Sequence, residues 1–150
     1  MIRILCVGKL KEKALQQLCD DYQKRLSHYS RIEIVQVSEE PEGQQAVALE
    51  SARLSKAHKE RAKLIVLDLK GEEIDSLKLA EKLQNWFSSG SPDLDFIIGG
   101  SNGVSNEILS QADWLWRLSP LTFTHGLVRV LLLEQLYRSY KISKNEPYHK

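Results

Sequence analysis

Three glycines within five residues, Gly99-Gly100-Ser101-Asn102-Gly103, form the densest chemical signal in the chain. Without Cβ atoms, such a run lets backbone come close to a flat or charged ligand. It follows the apolar stretch Asp95-Phe96-Ile97-Ile98. Beyond it, Ser105 is suited to cap a short helix that carries Glu107 in its first turn. The spacing is not the G-x-G-x-x-G of dinucleotide sites, and no Gly-Lys-Ser/Thr follows as a phosphate loop requires. A tight strand-to-helix turn would use the same residues, so position alone leaves ligand binding and plain turning equally open.

The second signal is Leu118 to Tyr140, LSPLTFTHGLVRVLLLEQLYRSY. Pro120 with its neighbouring Ser and Thr residues reads as a loop. From His125 onward the residues are apolar on nearly every side of a helix, the pattern of a helix buried over most of its surface. Glu134, Arg138 and Lys141 make one solvated stripe. Arg129 falls on the opposite face, with Leu132, Leu133, Leu136 and Tyr140, where an unpaired guanidinium is costly. It therefore needs an anion or a fixed acceptor. His125 opens the helix, a position that is more often structural than catalytic.

The third signal is the tail. Arg138, Lys141, Lys144 and Lys150 stand against the single acid Glu146, with Tyr148 and His149 between them. Bases mixed with aromatics suit phosphate contact and base stacking, and a frayed basic terminus has the same composition. Two cysteines, Cys6 and Cys19, and four scattered histidines lack metal-ligand spacing, so no metal is expected. No nucleophile elbow is present.

These residues need elements to position them. Hydrophobic period alternates along the chain between strand and helix. Strands are expected over 2–7, 31–37, 63–69, 95–98 and 114–118, the second nearer an edge and the third covered on both faces. Helices are expected over 9–26, 44–61, from about 76, after Ser105, and from His125. The Glu39–Gly43 stretch reads as a mobile acidic loop. Strands alternating with helices imply an α/β fold with a mostly parallel sheet flanked by helices. Ligands in such sheets sit beyond the carboxyl ends of the strands. That rule selects the end of the third strand at Leu67–Leu69, the Gly99–Gly103 loop and the Leu118–Phe123 loop.

A length of 150 residues fits one domain, 1–150, and 42% apolar with 27% charged residues is the balance of an ordinary globular chain. A net charge of +1 gives no bulk attraction to nucleic acid, so any anionic partner must meet a local patch. With no leader pattern and no apolar run near the ~20 residues of a membrane span, a soluble cytoplasmic protein with no membrane partner is expected, its cysteines free and buried.

The blocks MIRILCVGKLKEK, VLDLKG, FIIGGSNG, LSPLTFTHGLVRVLLLEQLYRSYKI and NEPYHK, in that order, resemble the RlmH family over essentially the whole chain. These are bacterial ribosomal RNA large-subunit methyltransferases of the SPOUT class, acting on N3 of a pseudouridine. The resemblance implies a homodimeric α/β domain with a C-terminal deep trefoil knot. It also implies S-adenosyl-L-methionine as cofactor, bound at Leu67, Gly99 and the run Leu118, Ser119, Pro120, Leu121, Thr122 and Phe123. The last helix becomes a dimer seam, and 23S ribosomal RNA in the ribosome becomes the partner. Arg129, His149 and His125 become candidate catalytic groups, and Arg129, Arg138, Lys141, Tyr148 and His149 candidate RNA contacts. Thr124 departs from the family, which commonly has proline before the histidine. Two other functions remain open: a non-catalytic RNA- or nucleotide-binding module of the same fold, and a methyltransferase acting on tRNA.

Overall fold

The computed structural model describes residues 1–91 and 93–150. Among the described residues, ten elements alternate as the periodicity predicts: β1 (Ile2–Val7), α1 (Lys13–Leu26), β2 (Ile32–Val37), α2 (Ala46–Ala57), β3 (Lys63–Glu72), α3 (Ser76–Ser88), β4 (Leu94–Ile98), α4 (Asn106–Gln111), β5 (Trp114–Trp116) and α5 (His125–Ser143). The strands form one sheet in the order β2-β1-β4-β3-β5, and every pairing between them is parallel. β2 lies at an edge, as its alternating sequence implies, whereas β1 and β4 are buried along their whole length.

Strand side chains alternate between faces with period two. Ile2, Ile4 and Cys6 of β1 join Phe96, Ile98, Trp114 and Trp116 in the larger core, covered by α1, α3 and α5. Leu5 and Val7 point the other way and join Val66, Ile97, Leu54 of α2 and Ile108 of α4. The sheet is therefore sandwiched, and continuous apolar runs are what two covered faces require.

Element limits differ from the periodicity in informative places. α1 begins at Lys13 rather than Lys9, and residues 9–12 belong to the connection from β1. α2 is shorter than 44–61, and β5 stops at Trp116, leaving Leu118 in the following loop. β3 runs on past Leu69 to Glu72, with a register shift against β5 between Leu67 and Glu72. Gly71 makes that extension possible. A Cβ there would sit 2.6 Å from the backbone of Trp116, and the close approach lets the Arg117 N–H donate to Glu72 O at 2.9 Å.

The apolar character of α5 has its explanation inside the fold. It packs on α1 and α3 and over β4, and Val130, Leu132, Leu133 and Leu136 are buried there. Both cysteines are free and buried. Among the described residues no helix is long and apolar enough to cross a membrane.

Candidate active site

The three strand-end segments meet in one cavity of about 460 Å³. β3 contributes Leu67 and Asp68, β4 delivers Ile98 into the glycine run, and the segment after β5 closes the third side. Of the residues expected there, Leu67, Gly99, Leu118, Ser119, Leu121, Thr122 and Phe123 all line the cavity. Pro120 belongs to the same loop without lining it. His125 and Val128, from the first turn of α5, complete the wall. The volume lies within the ~300–1,000 Å³ typical of small-molecule sites.

Local chemistry holds each wall. Asp68 Oδ2 accepts from the Lys70 N–H at 2.9 Å, fixing β3 not at its end but within it, where its register against β5 shifts. Arg117 braces the third loop: its Nε donates to Ser119 O at 3.2 Å and lies 3.3 Å from Glu73 Oε1. The Leu121 N–H donates to Ser119 Oγ at 3.0 Å. Among the described residues, residues 118–123 make no backbone-to-backbone hydrogen bond outside the helices and strands. Their remaining N–H and C=O groups stay open to the polar edge of a ligand, between the apolar walls of Leu67, Leu118 and Phe123.

The glycine run is supported from α2, whose sequence is rich in charged residues. Glu50 and Ser51 are instead buried, at 5% and 3% exposure. Ser51 Oγ accepts from the Ser105 N–H at 2.9 Å, and a Cβ on Gly100 would come within 2.7 Å of Glu50 Oε1. Glu50 Oε2 also accepts from the Glu40 N–H at 3.1 Å, and the Glu40 carboxylate pairs with Arg53. The acidic loop expected to be mobile is thus tied to the helix that supports the site.

The remaining candidates lie elsewhere. Arg129 is 3% exposed and does not line the cavity. Its Nη2 donates to Val7 O at 3.0 Å and Gly8 O at 2.8 Å, at the end of β1. The tail folds back on α5. Tyr148 packs on Tyr137 with ring centroids 4.9 Å apart, and its hydroxyl donates to Glu134 Oε1 at 3.2 Å. Arg138 pairs with Glu134 at 2.6 Å, stands over the Tyr148 ring and meets His149 Nδ1 at 3.1 Å. The Glu134–Arg138 stripe expected to be solvated is therefore covered, because the tail needed a polar and aromatic seat. Lys141 bonds Glu146 at 2.7 Å, which raises the affinity of the lysine for its proton and lowers that of the glutamate. His149 borders a groove on the far side of Leu118, Ser119 and Phe123. His125 and His149 thus line two hollows that share Leu118, Ser119 and Phe123.

One buried polar group escaped the sequence reading. Arg3 and Asp95, paired in register on β1 and β4, form a two-pronged ion pair of 2.9 and 2.6 Å. Asp95 Oδ2 also meets His58 Nδ1 at 2.8 Å and the Lys59 N–H at 3.0 Å. A charge inside each of two otherwise apolar runs, IRILCV and DFII, was the available signal. The group lies toward the amino ends of the strands, away from the cavity. Among the described residues no group of His, Cys, Asp and Glu is arranged to hold a metal ion.

Comparison with known proteins fits this geometry. Residues 1–149 match the family model described as predicted SPOUT methyltransferase. The chain is 45% identical to ribosomal RNA large subunit methyltransferase H of Acetivibrio thermocellus, covering 99% of both chains. It is 47% identical to the protein of the same name from Desulforamulus reducens, covering 99% of this chain and 98% of that one. Among solved structures, a probable methylase family protein from Haemophilus influenzae superposes with a TM-score of 0.60 at 13% identity, over 99% of this chain and 70% of that one. A tRNA (m1G37) methyltransferase from Aquifex aeolicus gives 0.51 at 12% identity, over 93% and 69%. At those identities the structural likeness speaks for the fold alone.

Proposed function

The chain belongs to the SPOUT methyltransferase family, and from that premise we propose that it methylates N3 of a pseudouridine in 23S ribosomal RNA, on assembled ribosomes, with S-adenosyl-L-methionine as donor. The observation that carries the reading is the meeting of Leu67, Gly99 and Leu118–Phe123 in one cavity. The names of the full-length relatives supply the RNA class. The deep trefoil knot of the SPOUT class is part of the same proposal, supported by the family match.

The cavity suits the donor. Its apolar walls can sandwich an adenine ring, and the free backbone groups of 118–123 can meet that ring's polar edge. Asp68 and Ser119 stand at the wall for hydroxyl or amino groups. When bound, S-adenosyl-L-methionine supplies a sulfonium-activated methyl carbon. The protein's task is positioning, worth up to ~7–11 kcal/mol when reacting atoms are held in near-attack geometry. The acceptor is an imide N–H whose proton must leave, so a base or a cation near the imide helps. His149 takes that role by way of the tail, and His125, already on the cavity wall, is the second candidate. The buried Arg129 would stabilise charge from outside the cavity. Arg138, Lys141 and Tyr148 would reach RNA by leaving the seat they occupy on α5.

A homodimer belongs to the same reading. Leu69 and Leu121 at the cavity, and Leu77 beside the His149 groove, are exposed by 63%, 69% and 56%. Such leucines, with the half-buried Leu127 and Leu131 of α5, supply apolar surface for a second copy. Mass spectrometry of 23S ribosomal RNA from a strain lacking the gene tests the proposal. One pseudouridine should lose the mass by which a methyl group exceeds the hydrogen it replaces, and regain it on complementation. Unchanged 23S RNA together with an altered tRNA would replace the substrate assignment.

A further inference from the structure

A second cleft, about 430 Å³, opens between α1 and the edge strand β2, outside the cavity described above. The buried Arg129 is among its lining residues. A guanidinium carries five N–H bonds, one on Nε and two on each Nη. Nη2 is engaged by Val7 O and Gly8 O, but Nε and Nη1 are buried and have no hydrogen-bond partner among the described residues. Burying unmet donors on a cation is costly, because both the ion and each unmet N–H give up their hydration without replacement. A buried polar group left unmet by the protein calls for a water, an ion or a ligand to meet it.

We propose that this cleft is an anion site, in which Arg129 and Lys9 hold a phosphate group. The charged groups facing it are Arg129 and Lys9 against the single carboxylate of Asp20, so the cleft is net cationic. Gln23 and Gln36 add neutral amide donors, while the Gln16 amide is already turned to Leu10 O. The acceptor carbonyls at the end of β1 hold the guanidinium in place, so its open N–H groups are preorganised rather than searching. Choosing phosphate as the anion rests on the ribosomal RNA reading, where the source is a backbone phosphodiester; inorganic phosphate would present the same oxygens.

The Nε–H resonance of Arg129 in the ¹⁵N-labelled full chain reads the site directly. Inorganic phosphate, titrated against chloride at matched ionic strength, should shift that resonance saturably. Lys9→Gln, a change at an exposed side chain, should weaken the effect by about threefold or more, since a phosphate contact is roughly one charge-assisted bond. No saturable shift, an equal shift with chloride, or a phosphate effect untouched in Lys9→Gln would overturn the site. A short single-stranded RNA forms the second arm. If it moves the resonance as phosphate does, the source is a phosphodiester; if phosphate alone does, the source is a free anion. If phosphate binds while the protein leaves 23S RNA unmethylated, the site stands and the substrate reading falls.

Discussion

Replacing Gly100 by alanine tests how the glycine run is supported. The new methyl would lie 2.7 Å from Glu50 Oε1 and 3.4 Å from its Cδ. A carbon–oxygen contact relaxes near about 3.3 Å, so loop or carboxylate must yield by about 0.6 Å. Glu50 has little room to do so, being 5% exposed with Oε2 bound to the Glu40 N–H. Overpacking of this kind costs about 1–3 kcal/mol. If the loop absorbs the shift, the cavity wall moves and S-adenosyl-L-methionine affinity should fall about tenfold, equivalent to about 1.4 kcal/mol. Calorimetric titration of wild type, Gly100→Ala, Glu50→Ala and the double variant closes the cycle. Glu50→Ala removes the obstacle while leaving one N–H without its acceptor, a loss of about 1 kcal/mol in stability. The double variant should bind better than the sum of single effects predicts, by about 1 kcal/mol. Affinity in Gly100→Ala within about twofold of wild type, or strict additivity, would refute the steric argument (twofold is about 0.4 kcal/mol, inside the usual additivity error).

Three further outcomes follow from the packing. Asp95→Asn strips the charge partner from buried Arg3 and should cost about 3–5 kcal/mol, or about 6–20 °C in melting temperature; the pair Arg3→Met with Asp95→Leu should recover most of it. Cofactor affinity should be unmoved, and a melting loss below about 2 °C would contradict the coupling. Burial pushes the Cys6 thiol up to about 11, above the ordinary thiol range, so the unfolded chain loses that proton first. Stability is then retained below the unfolded value and falls as pH rises toward 11, a slope that Cys6→Ala should flatten in urea melts and that identical slopes would disprove. Tyr148→Ala removes the Tyr137 contact, the bond to Glu134 and the Arg138 stacking, and should cost about 1–2 kcal/mol. Hydrogen exchange should speed up at residues 144–150; unchanged protection there would show that the tail is held by something else.

The element order was legible because period two and period 3.6 alternate cleanly, and the strand-end rule then picked the three walls of the cavity. What sequence could not show depends on contacts between distant residues. The β2-β1-β4-β3-β5 order is not sequential and has no local signature. β3 continues past Leu69 only because Gly71 lets β5 approach, which no propensity reports. Glu50 reads as one more surface charge on a charged helix, yet it is buried where it braces the glycine run. Arg129 was singled out for lying on an apolar face, and the carbonyls that meet it come from β1, more than a hundred residues away. The tail's basic residues suggested RNA, and composition had no means of showing that they are seated on α5.

Cofactor binding is assigned to one cavity walled by β3, the glycine run after β4 and the loop after β5, and backbone amide mapping during titration with S-adenosyl-L-methionine tests that assignment most directly. Saturable shifts should gather at Leu67–Lys70, Gly99–Gly103 and Leu118–Phe123, with the Arg129 Nε–H left largely in place. Absence of binding, or shifts centred on the α1–β2 cleft instead, would contradict it.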